Sequence, residues 1–207
     1  MLDLLNSGGS FMYVILLTSI GALALFCERA YFLFVKLNLN MDSAFDRISA
    51  LLGGANYRGA LEEVNRIQSH PMGRTLKKGI LKAGKRDKDI EQAMLESILR
   101  EMPLLKVRVN YLSMFANVAT LLGLLGTIVG LIAAFAGVAG ASGAEKQTIL
   151  AAGISVAMFT TAFGLIVSIP SLVGFYLLNN RGDKIIEKMD EKALALFNIL
   201  SSLKRDK

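Results

Sequence analysis

The chain has 207 residues, of which 53% are hydrophobic, with a mean hydropathy of +0.48 and a formal net charge of +6. Its charged residues are concentrated in some segments and absent from others more than 25 residues long, for example residues 111–138. This pattern is typical of a membrane protein and argues against a soluble enzyme. The single cysteine, Cys27, excludes an internal disulfide and a cysteine metal cluster. We find no phosphate-binding loop, nucleophile arrangement or metal-ligand motif, so we expect no catalytic residues, no metal and no cofactor.

The first apolar block runs from Phe11 to Val35, and its uncharged part, Phe11 to Cys27, has 17 residues. That length is near the lower limit for crossing a bilayer as a helix. Glu28 and Arg29 follow directly and can lie at the membrane interface. A cleaved signal peptide is the alternative, but only Asp3 is charged before Glu28, so the basic segment of such a peptide is missing. Residues 1–36 are therefore predicted to form a short periplasmic N-terminus and a first transmembrane helix.

Residues 37–110 are predicted to form a cytoplasmic helical region. A first helix includes Ala44 to Leu52 and stops at Gly53-Gly54, and a second covers Tyr57 to Ile67. A third runs from Met72 to Gly84. A fourth, capped by Asp87 or Asp89, leads directly into the second span, with a bend or break at Pro103.

Residues 111–178 contain two more apolar stretches, 111–138 and 149–178, each long enough to span a bilayer. Both have small residues at spacings of three and four, which allow another helix to approach closely. We expect this close packing to support an oligomer. The predicted packing positions are Gly123, Gly126, Gly130, Gly153, Ala157 and Gly164.

Residues 179–207 are predicted to form a cytoplasmic helical tail. Its apolar positions recur at helical spacing, and Gly182 is the weak point if residues 149–203 form one helix of about 80 Å. The tail either folds back on the middle region or packs between subunits. The apolar positions are Ile185, Met189, Ala193, Leu196, Leu200 and Leu203.

Lysine and arginine predict the orientation. Fourteen of them lie between Lys36 and Arg108, seven follow from Arg181 onward, and the loop 137–148 has only Lys146. The positive-inside rule then places the N-terminus outside and the middle region and tail in the cytoplasm. Nucleic-acid binding is not favoured, because acidic residues interleave with the basic ones and no aromatic platform accompanies them.

Two runs resemble the MotA/TolQ/ExbB proton-channel family: LLGLLGTIVGLI at 121–132 and AAGISVAMFTTAFGLIVSIPS at 151–171. The Glu28-Arg29 pair, the large insertion and three spans resemble the TolQ/ExbB branch rather than the four-span flagellar stators. The resemblance implies an all-α inner-membrane protein of bacteria, assembled as a homopentamer around a smaller, single-span partner of the ExbD/TolR type that contributes an essential aspartate. Such a complex uses the ion-motive force for mechanical work in envelope transport or maintenance.

The residues themselves point to a partner as well. An ion path needs a titratable or hydrated group at depth, yet the second and third spans contain no ionisable side chain, and His70 lies in the cytoplasmic region. A carboxylate must then come from another chain. By the resemblance, Thr127 and Thr161 line the ion pathway, with Thr160 beside the second. The alternative is that these hydroxyls only bond to carbonyls of their own helix.

One position departs from the family pattern. Where relatives commonly have glutamate in the third span, this chain has Val156. The identity of the ion, proton or sodium, and the envelope process therefore stay open. The competing function is a structural membrane scaffold whose helices only oligomerise, and a small-solute permease is weaker because three spans offer no buried polar site.

Overall fold

The structure is a computed structural model that describes residues 10–205, without the side chain of Ser10. The predicted periplasmic N-terminus therefore lies largely outside the described residues. Every regular element between residues 10 and 205 is helical, and three stretches contain helix long and apolar enough to cross a membrane. The helices are α1 (Ser10–Ala30), a π-helical turn (Tyr31–Lys36), α2 (Met41–Gly53), α3 (Tyr57–Arg66), α4 (Pro71–Leu81), α5 (Asp87–Lys106), α6 (Val109–Val138) and α7 (Gly143–Arg205).

The short helices begin where side chains cap them. The Asn40 side chain accepts a hydrogen bond from the backbone N–H of Ser43 at 3.2 Å, and Asn56 accepts one from Gly59 at 2.9 Å. His70 caps α4 in the same way, since its Nδ1 accepts from Met72 N–H at 3.1 Å, and Pro71 begins that helix. Gly54 ends α2, as predicted.

Two expectations for the fourth helix of the predicted cytoplasmic region are wrong. Arg86 occupies the N-cap position of α5 without a side-chain cap, and Asp87 and Asp89 lie in the first turn, where they interact favourably with the helix dipole. α5 also does not lead directly into α6. It continues through Pro103 to Lys106, and the break comes at Val107 and Arg108, where Arg108 has a left-handed backbone with φ of 64°.

The chain divides into two compact units, of which the first comprises α1, α6 and the part of α7 up to Leu178. Ile15, Ala119 and Val167 form its central apolar cluster, one residue from each helix. At one end of this unit, Glu28 accepts a hydrogen bond from Arg108 at 2.6 Å. The remaining apolar side chains of these helices are mostly exposed, as expected for helices that face lipid or other subunits.

The second unit comprises residues 31–107 and the part of α7 from Asn179. Helix α7 runs unbroken through Gly182, and its apolar positions from Ile185 to Leu200 are buried. A methyl group on Gly79 would lie within 3.0 Å of both Met94 and Leu196, so the tail packs on helices of the middle region. The tail thus packs on the middle region of its own chain, as in the first of the two alternatives, but it does so as a continuation of helix α7.

Ion pairs hold the tail in this position. Asp42, in the first turn of α2, pairs with Lys188 and, at 2.7 Å, with Lys192. These two lysines lower the pKa of Asp42 to about 2. Lys204 reaches Asp87 at 3.1 Å, at the start of α5.

Candidate functional site

Helices α6 and α7 form an antiparallel hairpin in which glycines of one helix face the backbone or small side chains of the other. A methyl group on Gly126 would lie 2.8 Å from Cβ of Thr160, and one on Gly130 would lie 3.1 Å from Cβ of Ala157. Gly153 meets Ala134 farther along the hairpin. These distances are shorter than ordinary carbon–carbon contacts of about 3.5–4.0 Å, so the helices approach more closely than side chains would allow.

The contact continues in the other direction, where Gly123 and Gly164 face each other. A methyl group on Gly164 would lie 2.7 Å from the carbonyl oxygen of Ala119 and 3.0 Å from Cα of Gly123. All six predicted packing positions therefore lie in one helix–helix contact. The contact is formed within a single chain, and the expected role of these glycines in an oligomer stays a prediction.

Thr127 and Thr161 meet across this hairpin. Their hydroxyl groups are within hydrogen-bonding distance of each other, and both side chains are partly exposed. The Thr127 hydroxyl also lies 3.1 Å from the carbonyl of Gly123, four residues earlier in its own helix, and 3.2 Å from that of Ala157 in the other helix. Thr161 reaches across the hairpin to Gly123 O at 3.1 Å. Both hydroxyls therefore bond across the hairpin, and that of Thr127 bonds to a carbonyl of its own helix as well.

The Thr127 and Thr161 hydroxyls can donate one proton each. The possible acceptors are the carbonyl oxygens of Gly123 and Ala157 and the two hydroxyl oxygens themselves. Each hydroxyl oxygen has two lone pairs that can accept. Donating both protons to Gly123 and Ala157 leaves lone pairs on both oxygens for a third group. The pair can therefore accept from a water molecule or a protonated carboxyl group on its exposed side.

Thr160 is placed differently from its neighbour. It is buried, at 1% exposure, and its hydroxyl donates to the carbonyl of Ala157 at 2.7 Å. Its Cβ fills the space opposite Gly126. In this chain Thr160 packs the hairpin, instead of joining Thr127 and Thr161 on the exposed side.

The described spans provide no charge near this pair. Helix α6 and residues 147–178 of α7 contain no Asp, Glu, Lys, Arg or His, and the Val156 side chain is half-buried. No group of three or more potential metal-ligating side chains (His, Cys, Asp or Glu) occurs among residues 10–205. Within these residues of α6 and α7, no acidic, basic or histidine side chain therefore accompanies Thr127 and Thr161.

A second hydroxyl pair, which the sequence pattern alone did not identify, lies in the same hairpin. The Thr120 hydroxyl is 2.8 Å from that of Ser168 and 3.2 Å from the carbonyl of Ala116. Both residues are seven positions from the first pair, Thr120 before Thr127 and Ser168 after Thr161. Seven residues are about two helical turns, and this repeat is the signal that could have revealed them.

Buried polar groups outside the spans are concentrated around α4. Glu101 is 5% exposed and accepts two hydrogen bonds from Arg74, at 2.6 and 2.5 Å. His70 is 3% exposed, and burial, with the nearby Arg74 and Arg181, lowers its pKa to about 4. His70 is therefore neutral at physiological pH, where it caps a helix.

Comparison with known proteins identifies a family whose model matches this chain and solved structures of similar fold. The model of the MotA/TolQ/ExbB proton channel family matches residues 67–191. The fold is similar to a chain in the solved structure of MotAB from C. jejuni, with a TM-score of 0.71 and 17% sequence identity over 95% of this chain and 80% of that one. At this identity the likeness concerns the fold. No curated protein matches the sequence.

Proposed function

Because this chain belongs to the MotA/TolQ/ExbB proton channel family, we propose that it is the ion-channel and stator subunit of an ExbB/TolQ-type motor. In this proposal it assembles as a homopentamer in the bacterial inner membrane and surrounds a single-span partner of the ExbD/TolR type. The complex converts the ion-motive force, carried by protons, into mechanical work for envelope transport or maintenance. The distribution of lysines and arginines supports an orientation with the N-terminus in the periplasm and the C-terminus in the cytoplasm.

The observation that carries the proposal is the Thr127–Thr161 pair in a hairpin without ionisable groups. Within a bilayer, polar groups are costly, and those that persist generally face a water-filled cavity or another helix. Two hydroxyls with free acceptor positions can hold a water molecule or the protonated form of a carboxyl group. An aspartate on the partner helix supplies a group that is absent from α6 and from residues 147–178 of α7.

The low dielectric around the pair determines how such an aspartate behaves. Burial raises the pKa of a carboxyl group because the charged form loses its hydration. The lone pairs of the Thr127 and Thr161 hydroxyls can accept from the protonated form. By turning away from the carbonyls of Ala157 and Gly123, the same hydroxyls can donate to the ionised form. The two threonines thereby support both states that an ion-carrying carboxyl group must visit.

A structural scaffold without ion conduction is the second candidate. It is favoured by the hydrogen bonds that both hydroxyls make to Gly123 O, since these bonds would hold the hairpin together in the absence of any ion. The two candidates differ in what happens when a hydroxyl is removed while the shape of the side chain is kept.

The test replaces Thr127 and Thr161 by valine, singly and together. The complex with its single-span partner is reconstituted in liposomes, and proton flux is followed with a pH-sensitive dye, with a sodium gradient in a separate set. We expect assembly to be kept, because valine retains the branched shape, and flux to fall at least about tenfold, the factor that corresponds to one hydrogen bond. Thr148→Val, at the exposed outer end of α7, is the matched control and should leave flux unchanged. Full flux in the double valine variant would favour the scaffold.

A further inference from the structure

The second hydroxyl pair lies on the same helix faces as the first. Thr120 and Thr127 are seven residues apart on α6, and Ser168 and Thr161 are seven apart on α7, so each pair occupies nearly the same angular position on its helix. The separation along the helices is about 10 Å, at 1.5 Å per residue. Ser168 is 4% exposed, whereas Thr120 is exposed, so the pair is anchored on one side and open on the other.

Thr120 and Thr127 lie on one face of α6, which is polar between Thr127 and the start of the helix and apolar between Thr127 and its end. Toward the start of the helix, the same face continues with Asn117, which is exposed, and Ser113, which is half-buried. Toward the end of the helix, the corresponding positions are Leu131, Phe135 and Val138. Only the half of the face that leads to the predicted cytoplasmic side can therefore bind water along its length.

We propose that Thr120 and Ser168 form a second water-binding station of the ion path, between the Thr127–Thr161 pair and the cytoplasmic side. This inference rests on the function proposed above. Hydrogen-bonded oxygens are about 2.8 Å apart, so about three water molecules connect the two pairs. Asn117 offers the next donor and acceptor on the way out.

The hydrogen-bond inventory of the pair leaves room for that water. Thr120 has one proton, shared between Ser168 at 2.8 Å and the carbonyl of Ala116 at 3.2 Å. When Ser168 accepts this proton, its own hydroxyl proton is available to another acceptor, and each oxygen has a further lone pair. The competing role is a bond that only joins α6 to α7, and such a bond would change stability without changing ion flux.

The flux test uses the double variant Thr120→Val/Ser168→Ala in the reconstituted complex. We expect proton flux to fall about tenfold, as for the loss of one hydrogen-bonding group. The matched control is Thr18→Val in α1, where a membrane hydroxyl donates to the carbonyl of Ile15 at 2.7 Å. That variant should conduct like the unmodified chain.

Hydration is tested separately from flux. Two single-cysteine variants are made in a Cys27→Ser background: Thr120→Cys and, at the adjacent position, Leu121→Cys. The Leu121 side chain is 63% exposed on the apolar surface. Both variants are treated with a small cationic methanethiosulfonate in inner-membrane vesicles. Only a thiol in contact with water ionises and reacts. We expect rapid labelling at position 120 and at least tenfold slower labelling at position 121.

The outcomes separate the two proposals. Full flux in the Thr120/Ser168 double variant, or labelling at position 120 as slow as at 121, would overturn this inference. If the Thr127 and Thr161 variants lose flux in the same preparation, the proposed function stands without it. An unmodified complex that conducts no ions would overturn the proposed function and this inference together.

Discussion

Replacing Gly164 by alanine should destabilise the α6–α7 hairpin more than the same change at Gly126 or Gly143. The added methyl group would lie 2.7 Å from the carbonyl oxygen of Ala119 and 3.0 Å from Cα of Gly123. Both neighbours are backbone atoms, which cannot rotate away, so the helices must separate by about 0.5–1 Å to restore van der Waals distances. Overpacking of this kind costs about 1–3 kcal/mol, and we expect the upper half of that range.

Gly126→Ala gives an internal comparison. Its methyl group would meet the Thr160 side chain at 2.8 Å, and a side chain can adjust where backbone cannot. We therefore expect a smaller loss, about 1 kcal/mol. Gly143→Ala is the control, because nothing lies within 4 Å of the position that its added methyl group would occupy.

The assay is the temperature at which the detergent-purified protein loses its monodisperse peak in size-exclusion chromatography. At about 2–4 °C per kcal/mol for a chain of this size, Gly164→Ala should lower that temperature by about 4–12 °C. Gly126→Ala should lower it by about 2–4 °C and Gly143→Ala by less than about 1 °C. Equal effects at positions 164 and 143 would refute the close-packing explanation.

Three further predictions concern the predicted cytoplasmic region and the topology. The pKa of His70 is about 4 in the folded chain, below its ordinary value of 6.5. Between these pH values the unfolded chain binds more protons, so the free energy of unfolding should fall as pH drops from 6.5 to 4. His70→Asn keeps a capping side chain and should show a flatter pH profile of thermal stability. Arg74→Met leaves Glu101 buried without its partner and should lower the free energy of unfolding by about 2 kcal/mol. This is less than for a fully buried pair, because the Arg74 side chain is 41% exposed. The double variant Arg74→Met/Glu101→Leu should recover stability, and no recovery would contradict the pairing argument. In a Cys27→Ser background, an impermeant thiol reagent added to cells with a permeable outer membrane should label Ser142→Cys and not Lys82→Cys, and labelling at position 82 would reverse the predicted orientation.

The sequence predicts most helices because their signals are local. Gly54 after an apolar stretch and His70-Pro71 before another are stop and start signals that act within one turn, and the structure has helix ends at both. The sequence predicts the break before α6 at Pro103, because this proline is the only local signal for it. The structure instead has the break at Arg108, whose backbone is left-handed. Arg108 has a long-range partner, Glu28, 80 positions away, which no local pattern reveals.

The candidate site shows the same division. Small-residue spacing predicts a face that another helix can approach, and the structure confirms such a contact at Gly126 and Gly153. Spacing alone does not identify which helix approaches. In the structure these contacts lie within one chain, and the expected role of the glycines in an oligomer stays a prediction. Thr160 and Thr161 are adjacent in sequence, but Thr160 is buried against α6 whereas Thr161 is partly exposed beside Thr127. Their positions relative to α6 cause this difference, which the sequence pattern does not reveal.

The closure of the hairpin on its own glycines also bears on the order of events during biogenesis. Only residues 139–142 separate α6 from α7, so bringing the two helices together costs little loop entropy. Their pairing is a unimolecular step, and its extent does not depend on how many copies of the chain are present in the membrane, whereas association between copies does. Each newly inserted chain can therefore complete this contact alone, and a shortage of subunits would delay the proposed oligomer without leaving the glycine faces open to mispairing.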